Sequence, residues 1–238
     1  MPHVTGPRVR KRVGAVVIAL VSSAIVVGSP MAAEAGSASS KAQAKKLLLT
    51  LKDMPKGWKT EKGTGGNNSN NFPGATQLAS CIGVPSSLIT GNPPEVDSPY
   101  FETKSGLLEV QDSISVFSSN KTAVANLDAM ANAKTPACMA TLMNGSYKAQ
   151  ILAAAGAGAT LGTITVNRAD LAGFPKGTTG IVMSLPITAQ GESIDATLTA
   201  VYYIKGTLGQ EIDFNSYGPT TFPTSLAKSL TSTALRRL

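Results

Sequence analysis

Two cysteines, one histidine and fourteen carboxylates are the residues of this 238-residue chain with the clearest capacity for chemistry. The histidine decides most. It is His3, so residues 4–238 contain none. Without histidine there is no Ser-His-Asp or Cys-His catalysis, and the commonest zinc ligand is missing. Catalysis would have to run on carboxylates, lysine or tyrosine.

Paired carboxylates carry out glycoside hydrolysis. Glu95, Asp97, Glu102, Glu109, Asp112, Glu192, Asp195, Glu211 and Asp213 are the candidates. Most fall in loops or on the polar side of strands, where solvated surface is the expectation, and no spacing singles out a pair. Asp53, Asp128 and Asp170 lack EF-hand spacing. Gly156-Ala157-Gly158, with Gly162 beyond, lacks G-x-G-x-x-G spacing and βαβ surroundings, so a flexible loop is expected there. Ser118 to Lys121 and Ser225 to Lys228 match Ser-x-x-Lys, but the S-D-N and K-T-G partners of penicillin-binding enzymes are absent. These patterns imply no cofactor and no metal ion.

The cysteines are Cys81 and Cys138, 57 positions apart. In an oxidising compartment an isolated pair most often forms a disulfide. Closing that loop would stabilise the fold by roughly 4 kcal/mol in the chain-entropy description. A free thiol or an intermolecular bridge is the alternative.

The compartment is read from the N-terminus. Arg8, Arg10, Lys11 and Arg12 form a basic cluster, Val13 to Ser29 is uncharged and largely apolar, and Pro30 is followed by Ala33-Glu34-Ala35. These are the three parts of a secretory signal peptide. Cleavage is expected after Ala35, with Ala33 as the alternative site. An uncleaved anchor is the competing reading, but a spanning helix wants about 20 apolar residues. A bacterial lipid anchor needs a cysteine at the cleavage site, and the nearest is Cys81, so lipid anchoring is not the expectation. Removal of residues 1–35 leaves 203 residues and lowers the net charge from +7 to +4. A charge of +4 spread along the chain is not a nucleic-acid footprint. The expected product is a secreted protein with no stable membrane span. Residues 36–45 would be a flexible leader and residues 46–238 a single domain.

Several elements must position whatever chemistry remains. Ala44, Leu47, Leu48 and Leu51 recur at helical spacing, and Met54-Pro55-Lys56-Gly57 ends that helix. The Gly- and Asn-rich stretch from Gly63 to Gly74 reads as a mobile loop. Residues 75–82 fit a short helix carrying Cys81. Tyr100–Thr103 and Leu107–Phe117 form a hairpin across Lys104-Ser105-Gly106. Ser118, Ser119 or Asn120 caps a helix that ends before Pro136, and Cys138 lies in the next one. Residues 149–159 fit either a frayed helix or a loop. Alternation from Leu161 to Phe214 predicts a β-meander with one side covered, and Pro223 opens a final helix. Strands grouped apart from helices, without βαβ alternation, argue an α+β fold. Its antiparallel sheet, hairpin plus C-terminal meander, would be flanked by helices.

Four residues are candidates for lining a ligand groove between sheet and helices. Trp58, the only tryptophan, is either a core or lid residue or a stacking platform. Asp112 interrupts the apolar face of Leu108, Val110, Ile114 and Val116. Either the strand twists out of the core there, or Asp112 lies at a pocket edge. Tyr202 and Tyr203 point to opposite faces of one strand, so at most one lines the groove.

Several segments share a pattern with known proteins. "LLLTLKDMPKGW" from Leu47, "CIGVP" from Cys81, "SPYF" from Ser98, "SISVFSSNKTAVANLDAM" from Ser113 and "TPACMATLM" with Cys138 stand in that order. Together they resemble the extracellular sensor domains of actinobacterial serine/threonine kinases and the related mycobacterial lipoproteins. The resemblance implies an antiparallel sheet flanked by helices, akin to the PsbP-like fold, and binding of an envelope component. It supplies no catalytic residues. The chain departs from that family in having neither a kinase or membrane segment after the domain nor a lipidated cysteine. A free secreted, non-enzymatic binding module with an envelope ligand or protein as its partner is the leading expectation. An envelope sugar or ester hydrolase and a protein-interaction domain are the alternatives.

Overall fold

Alternation of apolar residues is strongest between Thr179 and Tyr217, and there the chain folds back on itself as three long antiparallel strands. These are β7 (Thr179–Ala189), β8 (Glu192–Lys205) and β9 (Leu208–Tyr217). The turns between them hold Gly191 and Gly206 at φ of 80° and 62°, backbone that a side chain disfavours. The computed structural model describes residues 34–61, 74–90, 93–156, 158–189 and 191–238. The expected signal peptide therefore lies almost wholly outside the described residues, as do Gly63–Pro73 of the expected mobile loop.

The remaining strands are β1 (Lys59–Glu61), β2 (Glu95–Asp97), β3 (Tyr100–Glu102), β4 (Leu108–Val116), β5 (Thr160–Leu161) and β6 (Thr165–Arg168). They build one sheet in the order β1-β3-β4-β9-β8-β7-β5, with β2 beside β4 and β6 beside β7. Among the described residues all of these pairings are antiparallel. The expected hairpin is present, with Phe101 opposite Val110.

The helices are α1 (Glu34–Leu47), α2 (Ala75–Ile82), α3 (Ser87–Thr90), α4 (Asn120–Ala131), α5 (Thr135–Asn144), α6 (Lys148–Ala155) and α7 (Thr224–Arg237). Their ends follow the sequence. Ser119 accepts the N–H of Thr122 at 3.1 Å and caps α4. Pro136 sits in the first turn of α5, and Pro223 caps α7. Helix α1 runs through residues 36–45, a stretch of Gly, Ser, Ala, Lys and Gln. Cys81 in α2 and Cys138 in α5 form a disulfide with a Cα–Cα distance of 5.8 Å. Among the described residues no helix is long and apolar enough to cross a membrane.

The fold is α+β, and both faces of the sheet are covered. On one face, here the inner, Ile181, Met183, Leu185 and Ile187 of β7 and Ile194, Ala196, Leu198 and Ala200 of β8 pack with α2, α4, α5 and α6. On the other, Val110, Val201, Ile212 and Phe214 pack with Ala227, Leu230 and Ala234 of α7. Ile114 packs there with Ala44 of α1 and Leu48. A sheet covered on one side was the expectation from the alternation. The second cover comes from the terminal helices α1 and α7, which strand periodicity does not announce.

Candidate functional site

The apolar lining of the inner face stops partway across the sheet. In β4 the inward residues are Glu109, Gln111, Ser113 and Ser115, because Val110 and Ile114 point outward and strand side chains alternate. In β9 the register places Asn215 opposite Glu109, Asp213 opposite Gln111 and Glu211 opposite Ser113. In β8, Tyr202 stands opposite Glu211 and Ala200 opposite Asp213. In β2, Asp97 stands opposite Ser113 and Glu95 opposite Ser115. The inner face is thus apolar across β7 and most of β8, and acidic across β9, β4 and β2.

On sequence alone these carboxylates belong to solvent. The structure overturns that for Glu102, Glu109, Glu211 and Asp213, all of which are buried. Helix α4 lies across β7, β8 and β9, and its Asn126 is buried as well. Several buried atoms here have no hydrogen-bond partner among the described residues: Glu95 Oε2, Glu211 Oε1, Tyr202 Oη, Asn126 Nδ2, and both Nδ2 and Oδ1 of Asn215. Most buried polar atoms in native proteins are satisfied, and each exception calls for a cause.

The electrostatics match this crowding. Burial pushes Glu95 up from an ordinary 4.5 to about 9, helped by the neighbouring charges of Asp97 and Asp213. Burial also raises Glu211 well above its ordinary value, reinforced by Asp213 and Glu95. Tyr202 is raised by burial and then by Glu211 and Asp213. It stands opposite Glu211 across the β8–β9 pairing, and the two groups act on each other. Asp97 is exposed and accepts the hydroxyl of Ser113 at 2.8 Å. Arg168 donates to the carbonyls of Met130 and Asn132 at the end of α4, where a cation complements the helix dipole.

Toward the β1 edge lies a second acidic group. Carboxylate oxygens of Glu61, Glu102 and Glu109 lie within 4.8 Å of one another. Lys59 Nζ is 2.7 Å from Glu102 Oε1, and the Tyr217 hydroxyl donates to Glu109 Oε2 at 2.9 Å.

The four residues expected to line a groove are not brought together. Tyr202 is on the inner face. Asp112, Tyr203 and Trp58 are on the outer side, separated from it by the thickness of the sheet. Asp112 is wholly buried, and its two oxygens accept Leu49 N–H at 2.7 Å and Gln210 Nε2 at 2.9 Å. It neither twists out of the core nor sits at a pocket edge; it is a buried, bonded carboxylate. Trp58 is half-buried and meets Phe222 edge-on, with ring centroids 6.3 Å apart. Phe222 and Phe214 belong to a small, largely apolar pocket of about 170 Å³, which Leu171, Phe174, Val182 and Ala227 also line. Ser118, Lys121 and Ser225 are exposed, and Lys228 lies 5.9 Å from the centre of the Phe174 ring.

Glu211 and Asp213 are among the candidate carboxylates of the sequence, whereas nothing in the sequence singles out Asn126 or Asn215. The available signal was that β4 and β9 both carry polar residues on alternate positions, Glu109-Gln111-Ser113 against Glu211-Asp213-Asn215. Only their pairing turns two polar strand faces into one polar patch.

The sequence matches no family model, and no curated protein matches it. Among solved structures the chain is similar to the extracellular domain of PknH from Mycobacterium tuberculosis. That match has a TM-score of 0.39 and 9% sequence identity, and covers 82% of this chain and 96% of that one.

Proposed function

We propose that this protein is an exported, non-enzymatic binding module of the cell envelope that holds a small polar ligand against the acidic half of its inner sheet face. The observation that carries this reading is the set of unpartnered buried atoms on Glu95, Tyr202, Glu211, Asn126 and Asn215. Each such atom costs about 1–3 kcal/mol when left unsatisfied, and a ligand that donates hydrogen bonds would satisfy most of them. The carboxylates disfavour an anion and suit a neutral polyol or an amine-bearing molecule. Exposed Asp97 and half-buried Glu95 mark the approach from β2. Export is supported by the N-terminal pattern and by the disulfide, which suits an oxidising compartment. In this reading the partner is an envelope component.

Native mass spectrometry of protein purified from culture medium, then repeated after denaturation, tests this. The expected result is a discrete adduct lost on denaturation and depleted in Tyr202→Phe with Glu211→Gln. A bare protein that also fails to take up glucosamine, glycerol or spermidine would overturn the reading.

One observation favours a second reading, hydrolysis of envelope sugars. Carboxylates do converge: Glu95 and Glu211, both raised, lie among Asp97 and Asp213. A glycosidase needs one protonated and one ionised carboxyl flanking its bond. Release of nitrophenol from p-nitrophenyl glycosides, abolished by Glu95→Gln or Glu211→Gln, would establish that activity. A protein-docking role finds less support. The exposed large apolar residues among those described are Leu51 and Val124, on segments covering opposite faces of the sheet.

A further inference from the structure

The acidic group at the β1 edge has a composition different from the patch around Tyr202. Glu102 of β3 stands opposite Glu109 of β4, and Glu109 stands opposite Asn215 of β9. The three therefore form one row across the inner face. Glu61 approaches from the outermost strand, and oxygens of the three glutamates lie within 4.8 Å of one another. Three carboxylates so close repel strongly unless a cation sits among them. Lys59 supplies one positive charge at Glu102 Oε1, and its side chain is 49% exposed. Tyr217 donates to one oxygen of Glu109, which fixes that carboxylate.

Asn215 is an independent observation at the end of the row. It is 1% exposed, and neither its carboxamide oxygen nor its nitrogen has a partner among the described residues. An amide oxygen beside clustered carboxylates is a hard donor of the kind calcium takes. Calcium accepts six to eight oxygens in flexible geometry, whereas magnesium demands a near-ideal octahedron. Glutamates on three separate strands, one of them at an edge, suit the flexible ion.

We propose that Glu61, Glu102, Glu109 and the Asn215 carboxamide oxygen form a calcium site at the β1 edge of the inner face. Binding displaces the Lys59 ammonium from Glu102 into solvent and gives the Asn215 oxygen its partner. Access is from the edge, where Glu61 is half-buried and Lys59 exposed. The site's three glutamates are not part of the Tyr202 patch, and Asn215 lies at the border between the two.

Terbium(III) is the probe, titrated into the full exported, disulfide-bonded protein with excitation at tyrosine. Tyr217 is bonded to a proposed ligand, so an ion held there receives its energy. The expected result is saturable terbium emission that calcium displaces. Loss of one of three carboxylate charges in Glu61→Gln weakens it by roughly tenfold or more. Lys59→Met, which removes the competing cation, binds several-fold more tightly. Glu61 is at the edge, so this variant is expected to keep the fold, and far-ultraviolet circular dichroism checks it. Absence of saturable emission from folded wild-type protein would overturn the site. So would emission unchanged in both Glu61→Gln and Glu109→Gln, which would place the ion elsewhere.

Discussion

The carboxylate of Asp112, in the middle of β4, accepts the backbone N–H of Leu49 at 2.7 Å across 63 residues of sequence. The other oxygen holds Gln210 Nε2. The chain just after α1 is thereby tied to the centre of the sheet. Burial pushes Asp112 up to about 7, against the opposing hydrogen bonds from Leu49 and Gln210. Its folded pKa lies above its unfolded one. The stability it contributes is therefore fully present below pH ~4 and is lost as pH rises through about 7. Asp112→Asn keeps an oxygen for Leu49, and its amide can donate to Gln210 Oε1, which is buried without a partner. This variant should match wild type near pH 5 and exceed it in melting temperature at pH 8. Asp112→Ala strands the Leu49 N–H and should cost ~2 kcal/mol or more. Thermal melts at the two pH values check both.

The same segment is gripped from the last helix. Arg237 donates to the Leu48 carbonyl at 2.8 Å and to Asp53 at 2.5 Å. Burial would raise Asp53, but the hydrogen bonds from Arg237 and from Thr50 outweigh it and hold the group below its ordinary range. Here the sign reverses: this stability is present above the unfolded pKa and is lost as pH falls through the folded one. Arg237→Ala should cost ~1–2 kcal/mol at pH 7, with less of a deficit below pH ~3. Arg237→Lys should recover only part, because an ammonium lacks the planar fork that reaches two acceptors. Urea denaturation at both pH values is the measurement.

Glu95 gives the broadest pH effect. Its folded pKa of about 9 exceeds the ordinary 4.5. Its stabilising contribution is full below pH ~4.5 and declines as pH rises to about 9. Wild type should be more stable at pH 5 than at pH 8. Glu95→Gln should flatten that slope and gain ~1–3 kcal/mol at pH 8. A slope unchanged in the variant would assign the pH dependence to other groups.

The Cys81–Cys138 bridge joins α2 to α5 on the inner side. Replacing both cysteines with alanine should lower stability by roughly 4 kcal/mol, through the larger entropy of the open unfolded chain. Equal melting temperatures for the oxidised and reduced proteins would contradict that.

Local chemistry made much of the fold legible. The cysteine pair, a helix cap among Ser118, Ser119 and Asn120, the Pro136 and Pro223 helix starts and the three long strands of the meander are each dictated by a few adjacent residues. Alternation also determined that Tyr202 and Tyr203 point to opposite faces of one strand, but the register with β9 decided which of them stands beside Glu211. Nor did alternation determine what covers that face. Period-two spacing is a property of one strand, whereas burial depends on segments that arrive from elsewhere. Asp112 looked like a break in an apolar strand because its partners, Leu49 and Gln210, lie 63 and 98 residues away. Glu109 looked solvent-facing because Tyr217, which binds it, lies 108 residues away. The acidic patch exists only once β2, β4 and β9 are in register beside the polar end of β8, under α4. Tertiary structure alone decided that, because carboxylates gain neighbours and lose water only when the strands carrying them pair and are covered.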